Sequence, residues 1–245
     1  MVIVSDMSAI KVKNLVVEFP IFEARSRSLK YAVMRTATGG KLASDSNQHV
    51  IVRALDNVSF NIKEGDRVGL LGHNGSGKST LLRVLAGAYK PTSGEVSVVG
   101  KVGSMISLTL GMDFEASGLE NIQLRGALMG FRLKEMKSIA EDVIEFADLG
   151  DYIHMPMRTY SSGMAMRLAF ALATAGTSDV ILMDEWVSAG DAAFAERADK
   201  RLREKLDRAK VMVLASHSEE LIRQQCNVVM KLERGKVIEF TRSDQ

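Results

Sequence analysis

The residues with the clearest chemical meaning form one glycine-rich stretch, residues 72–80, which fits the pattern G-x-x-x-x-G-K-[ST] at every fixed position. Glycines let the backbone curl tightly, so that successive N–H groups face an anion. Lys78 adds a full positive charge, and the Ser79 hydroxyl can bind Mg²⁺. The sequence therefore predicts a phosphate site formed by Gly72, His73, Asn74, Gly75, Ser76, Gly77, Lys78, Ser79 and Thr80.

The elements around this stretch fit that prediction. An apolar run at residues 66–71 is typical of a buried strand, and the residues from Leu81 onward have the spacing of one helical face, with Gly87 where the helix should end. A helix that starts at the loop adds the positive end of its dipole to the anion site. The alternative is a glycine turn beside a surface lysine.

Two acidic residues, Asp184 and Glu185, directly follow a second predicted buried strand at residues 180–183. Adjacent acids at the end of a buried strand are costly unless positive charge lies nearby. We expect Asp184 to hold Mg²⁺, directly or through water, and Glu185 to face a γ-phosphate as general base. The alternative is that both acids cap the following helix.

His217 comes after a third predicted buried strand, residues 211–215. Because the strand ends of a parallel sheet converge at one edge, we expect Lys78, Asp184 and His217 to meet there, with His217 contacting the γ-phosphate. A purely structural histidine is the alternative.

The order of elements predicts an α/β protein with a mostly parallel core sheet. Strands are expected at residues 10–19, 50–62 and 95–102, with Pro20 interrupting the pairing of the first, and a hairpin at residues 228–240. Helical patterns at residues 117–149, with Ser117 as a capping residue, predict an α-helical subdomain inserted at about residues 112–170.

Composition narrows the class of protein. The 245 residues carry a net charge of +2, with acids and bases interspersed, which argues against a nucleic-acid partner. Cys226 is the only cysteine, so a reducing compartment fits. The first residues lack the features of a signal peptide, and no apolar run has the length of a membrane helix. We expect a cytoplasmic protein that reaches a membrane only by docking on another protein.

Residues 23–49 have the character of a basic insertion between two strands. From Arg25 to Lys41 the bases are Arg25, Arg27, Lys30, Arg35 and Lys41, and this stretch has no acid. One interpretation is a solvated basic helix. The other interpretation gives this positive charge a function.

These motifs together resemble the nucleotide-binding subunit of an ATP-binding cassette (ABC) transporter over nearly the whole chain. Residues 72–80 correspond to Walker A, residues 180–185 to Walker B with its catalytic glutamate, and His217 to the switch histidine. Ser161, Ser162, Gly163 and Met164 correspond to the signature S-G-G-Q, and Ala189-Gly190-Asp191 to the D-loop. The resemblance implies an ABC cassette with an antiparallel β subdomain, ATP and Mg²⁺ as ligands, and a single cassette domain at residues 1–245.

Three positions depart from the family pattern. Ser162 and Met164 replace the second and fourth signature residues, while Ser161 and Gly163 still offer a hydroxyl and a backbone N–H at a helix start. No Q-loop glutamine is evident at residues 107–111, and Gln123 lies too far along. The aromatic residue that stacks on adenine is expected to be Phe19, with Phe22 in reserve.

Within this family, the chain is similar to cassettes that export polysaccharides. Three segments carry this similarity: Tyr160-Ser161-Ser162-Gly163-Met164, Gly118-Leu119-Glu120-Asn121-Ile122 and Gly190-Asp191-Ala192-Ala193-Phe194. This implies a homodimer on the cytoplasmic face of the inner membrane, bound to a polytopic membrane permease. Its cargo would be lipid-linked polysaccharide of the O-antigen or capsule type. No C-terminal carbohydrate-binding domain is expected after the hairpin.

Other functions remain open from the sequence alone. A soluble P-loop kinase would need an acceptor pocket and would leave Ser161-Ser162-Gly163 without a role. A mechanical clamp on ribosomes or DNA usually joins two cassettes in one chain. Export of another substrate, such as a lipid or drug, is a third alternative.

Overall fold

The computed structural model describes residues 8–25, 42–44, 49–186 and 192–242. Their contacts divide the chain into two compact units. The first comprises Met1–Val102, Leu182–Glu185 and Lys210–Gln245, and the second comprises Gly103–Ile181 and Trp186–Ala209. Most of the predicted basic insertion lies outside the described residues.

An antiparallel sheet of four strands belongs to the first unit. Its strands are β1 (Ser8–Arg25), β2 (Leu42–Ser44), β3 (His49–Lys63) and β5 (Ser93–Val98), in the order β2-β3-β1-β5. Buried side chains recur along β1 and β3 with the alternation of a sheet that covers a core on one face. They include Ile10, Val12, Leu15, Val17, Val58, Phe60 and Ile62.

The expectation that Pro20 interrupts sheet pairing is wrong. Pro20 lies opposite Ile51 in an antiparallel ladder that continues to the end of β1. Pairing between β1 and β5 is described only as far as Val16. Beyond that point β1 behaves as an edge strand within the described residues, and an edge tolerates the missing N–H of a proline.

The second sheet has six strands and contains the predicted core. These are β4 (Arg67–Leu71), β6 (Val102–Met105), β7 (Val180–Asp184), β8 (Val211–Ala215), β9 (Val228–Glu233) and β10 (Lys236–Arg242), in the order β10-β9-β4-β8-β7-β6. Strand β4 runs parallel to β8 and β9, while β9 and β10 form the predicted antiparallel hairpin. The expected mostly parallel core sheet, joined by an antiparallel sheet, is therefore confirmed.

The described ranges also contain six α-helices: α1 (Lys78–Leu85), α2 (Gly118–Leu128), α3 (Leu133–Ala147), α4 (Ser162–Thr174), α5 (Ala192–Arg208) and α6 (Glu219–Gln225). Short 3₁₀ turns cover Gly150–His154 and Met157–Thr159. Within the described ranges, no helix has both the length and the hydropathy that crossing a membrane requires.

The second unit has its own apolar core between α2, α3 and α4, which includes Ile122, Val143, Leu168 and Leu172. Ser117 caps α2 as predicted, in a capping box with Glu120. Asn121 is fully buried, and its side-chain amide bonds to Asp113 O at 2.7 Å while its carbonyl accepts from Asp113 N at 2.8 Å. Asn121 therefore fixes the loop that leads into α2.

Close packing between β4 and α6 generates the first prediction. A Cβ on Gly69 would overlap Cγ2 of Ile222 and lie 2.8 Å from its Cδ1. Gly69→Ala should destabilise the protein by about 1–3 kcal/mol, because the core has no room for the methyl group. Ile222→Ala alone should cost about 2–5 kcal/mol through the cavity it leaves. In denaturant unfolding, the double variant should lose clearly less than the two single losses added together. Additive losses would show that the two side chains do not compete for the same space.

The second prediction concerns Cys226. Burial raises the pKa of its thiol to about 12, so almost no reactive thiolate exists at pH 8. A colorimetric disulfide reagent should label the folded protein at least a hundredfold more slowly than the protein unfolded in guanidinium. Equal rates in the two states would contradict the burial of this side chain.

Candidate active site

The glycine-rich loop lies between β4 and α1, as the sequence predicted, and its curvature depends on two close backbone approaches. Gly72 has φ +153°, and a Cβ there would overlap the carbonyl oxygen of Leu232. Gly77, which precedes α1, has φ +116°, and a Cβ there would lie 2.9 Å from Ala54 O. Both positions require glycine because of their backbone conformation and the lack of space.

The centre of the loop is held by the turn between β9 and β10. Gly235 N donates to Ser76 O at 2.8 Å, and Asp56 N donates to Gly235 O at 2.8 Å. Within the loop, Ser76 N donates to His73 O at 3.0 Å. Backbone hydrogen bonds therefore tie the loop to β3 and to the hairpin.

Lys78 is buried at the start of α1, with 8% of its surface exposed. Its ammonium group donates to Gly72 O at 2.5 Å and lies 3.4 Å from His73 O. The ammonium thus lies over the loop's own carbonyl groups. The Ser76 hydroxyl is also buried, and among the described residues it has no hydrogen-bond partner.

A cavity of about 150 Å³ opens beside the loop, lined by residues 74–80, Asp184 and Glu185. The structure therefore brings Lys78, Ser79 and both predicted acids together at one site. Mg²⁺ prefers oxygen ligands and usually keeps few protein ligands beside substrate phosphates. The Ser79 hydroxyl and the Asp184 carboxylate supply such oxygens. The described residues contain no cluster of three or more His, Cys, Asp or Glu side chains that would form a separate metal cage.

Glu185 directly follows β7 in a left-handed backbone conformation, with φ +69°. Its N–H donates to Ala215 O at 2.8 Å, which ties it to the end of β8. His217 Nδ1 lies 3.0 Å from Glu185 Oε1, and the Ser216 hydroxyl donates to Glu185 Oε2 at 2.9 Å. His217 therefore reaches the site through Glu185 and does not itself line the cavity.

The predicted signature residues lie in the second unit, at the N-terminus of α4. Ser161 caps this helix, and its hydroxyl accepts from Met164 N at 3.2 Å. Ser161 and Ser162 are exposed, whereas Met164 is partly buried and packs against the apolar core of the unit. The helix start thus presents two exposed hydroxyl-bearing residues and Gly163, while the methionine side chain contributes to the core.

The predicted adenine-stacking residue, Phe19, is 37% exposed on β1. Its ring meets Tyr89 edge to face, with 5.4 Å between the ring centroids. Tyr89, which sequence analysis missed, is covered in turn by the Arg83 guanidinium, 5.6 Å from its centroid. The side chain of Phe22 and the whole of Asp191 lie outside the described residues.

Residues 107–111, where a Q-loop glutamine was sought, form a turn in which Leu110 N donates to Ser107 O at 2.9 Å. Arg125 of α2 donates to Leu108 O at 3.0 Å and also to Leu110 O. Gln123 is exposed on α2. An arginine therefore orders this turn through its backbone carbonyl groups.

Two residues of this site escaped sequence analysis. The only signal for Ser216 in the sequence is its place beside His217. That signal is weak, because a serine is common after a buried strand. Tyr89 lies a few residues beyond α1, and only its ring contact with Phe19 in the structure shows that it belongs to the site.

Comparisons with known proteins place the fold and site in a family. The family model for ABC transporters matches residues 55–188. The O-antigen export system ATP-binding protein RfbE of Yersinia enterocolitica is 45% identical over 233 residues, which are 95% of this chain and 98% of RfbE. The teichoic acids export ATP-binding protein TagH of Lactococcus lactis subsp. lactis is 36% identical over 96% of this chain, which spans only 49% of that TagH.

Among solved structures, the ATP-binding cassette MJ0796, a dimer in a post-hydrolysis state with ADP and Pi bound, superimposes with a TM-score of 0.69. It is 23% identical, and the match covers 96% of this chain and 99% of MJ0796. This likeness confirms the predicted α/β cassette fold. Together with the match to the family model and the identity to RfbE, it shows that the chain belongs to the ABC transporter family, as one of its ATP-binding, ATP-hydrolysing cassettes.

Proposed function

We propose that this cassette powers the export of a lipid-linked polysaccharide, of the O-antigen or capsule type, across the inner membrane. It would act on the cytoplasmic face, bound to a polytopic permease. The observation that carries the catalytic part is the Glu185 carboxylate, held by Ser216 and His217 beside the cavity of the glycine-rich loop. The identity to RfbE over nearly all of both chains supports the choice of cargo.

Nucleotide binding is assigned to the loop and α1. The backbone N–H groups of residues 72–80 and the dipole of α1 would surround the phosphates of ATP. The Lys78 ammonium would exchange its contacts with Gly72 O and His73 O for phosphate oxygens, which carry more charge. Phe19, supported by Tyr89, would stack on the base.

Metal binding is assigned to Ser79 and Asp184, which both line the cavity. Bound Mg²⁺ would neutralise charge on the phosphates as the γ-phosphoryl group is transferred. Asp184 would hold it directly or through water, and no other described acid near the loop is assigned this role.

Glu185 is assigned as the general base. Its carboxylate would orient a water molecule toward the γ-phosphate and take a proton from that water as the new oxygen–phosphorus bond forms. The bond between the γ-phosphorus and the oxygen that bridges it to the β-phosphate would break in the same step, so that ADP leaves with that oxygen. His217 lies beside it, with Nδ1 directed at Oε1. Its second ring nitrogen would contact the γ-phosphate, the role proposed for His217 from the sequence.

Two copies of the chain would complete the site. The exposed start of α4 has the backbone N–H groups and the helix dipole of an anion site. It comprises Ser161, Ser162, Gly163 and the backbone of Met164. We infer that this terminus of one copy closes over the ATP bound to the loop of the other. Asp191, which the family resemblance assigns to the nucleotide site, lies outside the described residues. Each chain has one loop and one such terminus, so a homodimer would hold two composite sites.

The third prediction tests Glu185. Glu185→Gln keeps the size of the side chain but removes its basicity, so ATP hydrolysis should fall by at least a hundredfold while ATP still binds. Because hydrolysis no longer opens the dimer, light scattering should detect an ATP-dependent dimer. In cells, the variant should stop surface display of the polysaccharide and leave lipid-linked polymer inside.

Glu219→Gln is the matched control, since Glu219 is an exposed acid whose ion pair with Arg223 is 3.9 Å long. It should hydrolyse ATP at the normal rate. Normal hydrolysis by Glu185→Gln would remove Glu185 from the role of base. Loss of hydrolysis with undiminished polysaccharide on the cell surface would point to another cargo.

The fourth prediction tests the start of α4. Ser161→Ala removes a helix cap and should cost about 1 kcal/mol of stability, but it should also abolish ATP-dependent dimer formation while ATP binding by the loop persists. Ser117→Ala removes a cap of the same kind from α2 in the same unit. It should cost similar stability, measured by denaturant unfolding, and leave hydrolysis unchanged. Equal loss of hydrolysis in both variants would show that Ser161 acts only on stability.

A further inference from the structure

We propose that Ser216 is a positioning residue that fixes the Glu185 carboxylate for its work as base, an inference that rests on the proposed role of Glu185. Ser216 is the first residue after β8, with only 1% of its surface exposed. Its hydroxyl donates to Glu185 Oε2 at 2.9 Å. A buried hydroxyl that contacts the carboxylate is well placed to restrict its rotation.

An ionised carboxylate can only accept, so the Ser216 hydroxyl is the donor in this hydrogen bond. A second contact is compatible with that role. Ser218 N donates to the Ser216 hydroxyl oxygen at 3.2 Å. A backbone N–H can only donate, so it occupies the oxygen as an acceptor and leaves the hydroxyl proton for Glu185. The hydroxyl is therefore set as a donor to the carboxylate, and a hydrogen bond to a charged group is stronger than one between neutral groups.

Ser216 is itself anchored to the strand that leads into the glycine-rich loop. Its N–H donates to Leu70 O of β4 at 3.2 Å. Leu70 lies two residues before Gly72, where the loop begins. One buried serine thus links the Glu185 carboxylate to β4, the same strand that positions the phosphate-binding loop.

The other partner of Glu185 holds it less firmly. The side chain of His217 is 80% exposed, and that of Glu185 is 47% exposed. An exposed contact of two mobile side chains restricts orientation only weakly, because water competes for both groups. Ser216 is therefore the rigid constraint, and His217 remains able to move toward a phosphate.

The fifth prediction follows from this arrangement. Ser216→Ala should lower kcat for ATP hydrolysis about tenfold, the size expected for losing a hydrogen bond to a charged group. The KM and binding affinity for ATP should stay within about twofold, since Ser216 does not line the nucleotide cavity. Ser216→Thr and Ser216→Val form a matched pair that differs only in a hydroxyl against a methyl group. Thr should keep most of the rate, and Val should resemble Ala.

Ser117→Ala is the structural control, because the Ser117 hydroxyl caps α2 by accepting from Glu120 N at 3.2 Å and has no described contact with Glu185 or Ser216. It should lower stability and leave kcat near normal. Adding Ser216→Ala to Glu185→Gln should change the residual rate by less than about twofold, since Ser216 acts through the carboxylate.

Unchanged kcat in Ser216→Ala, beside an inactive Glu185→Gln, would overturn this inference and leave the proposed function intact. Equal rates for the Thr and Val variants would also overturn it, as would a full additional loss in the Glu185→Gln background. Normal hydrolysis by Glu185→Gln would instead overturn the assignment of the base.

Discussion

The loop at residues 72–80 keeps its curvature because neighbouring backbone surrounds it closely. Gly72 lies against the carbonyl of Leu232, Gly77 lies against that of Ala54, and Gly235 bonds to the carbonyl of Ser76. No side chain larger than hydrogen fits at Gly72 or Gly77. These backbone contacts restrict the loop, and a restricted loop costs less free energy to order when ATP binds. The places of Lys78 and Ser79, at the start of α1, depend on this fixed loop.

Parallel pairing explains why distant parts of the sequence meet at the loop. Strand β4 leads into it, and β8 runs parallel to β4, so Ser216 follows β8 near the point where β4 ends. Glu185 joins this group because its N–H bonds to Ala215 O at the end of β8. A carboxylate next to a phosphate site must be held and partly neutralised. Ser216 and His217 hold the two oxygens of this carboxylate, and Lys78 lines the same cavity.

Most of the fold and the centre of the site could be predicted, because buried strands, glycine loops and helix caps leave strong local patterns. The rule on strand ends predicted that Lys78, Asp184 and His217 would meet. Lys78 and Asp184 do line one cavity, whereas His217 reaches it only through Glu185. Pro20 was misjudged because its effect depends on whether the strand has a second neighbour, which a local pattern does not contain. Ser216 was missed for a similar reason, since its partner Glu185 lies 31 residues away in the chain. Long-range contacts of this kind come only from the structure.

Shared sites between two copies are the central claim, and mixing two inactive variants tests it directly. Lys78→Ala disables the loop of one chain, and Ser161→Ala disables the helix start of another. A mixed dimer would hold one doubly disabled site and one fully intact site. The account predicts that ATP hydrolysis, absent in each variant alone, returns when the two are mixed. Continued inactivity, with mixed dimers shown by native mass spectrometry, would contradict it.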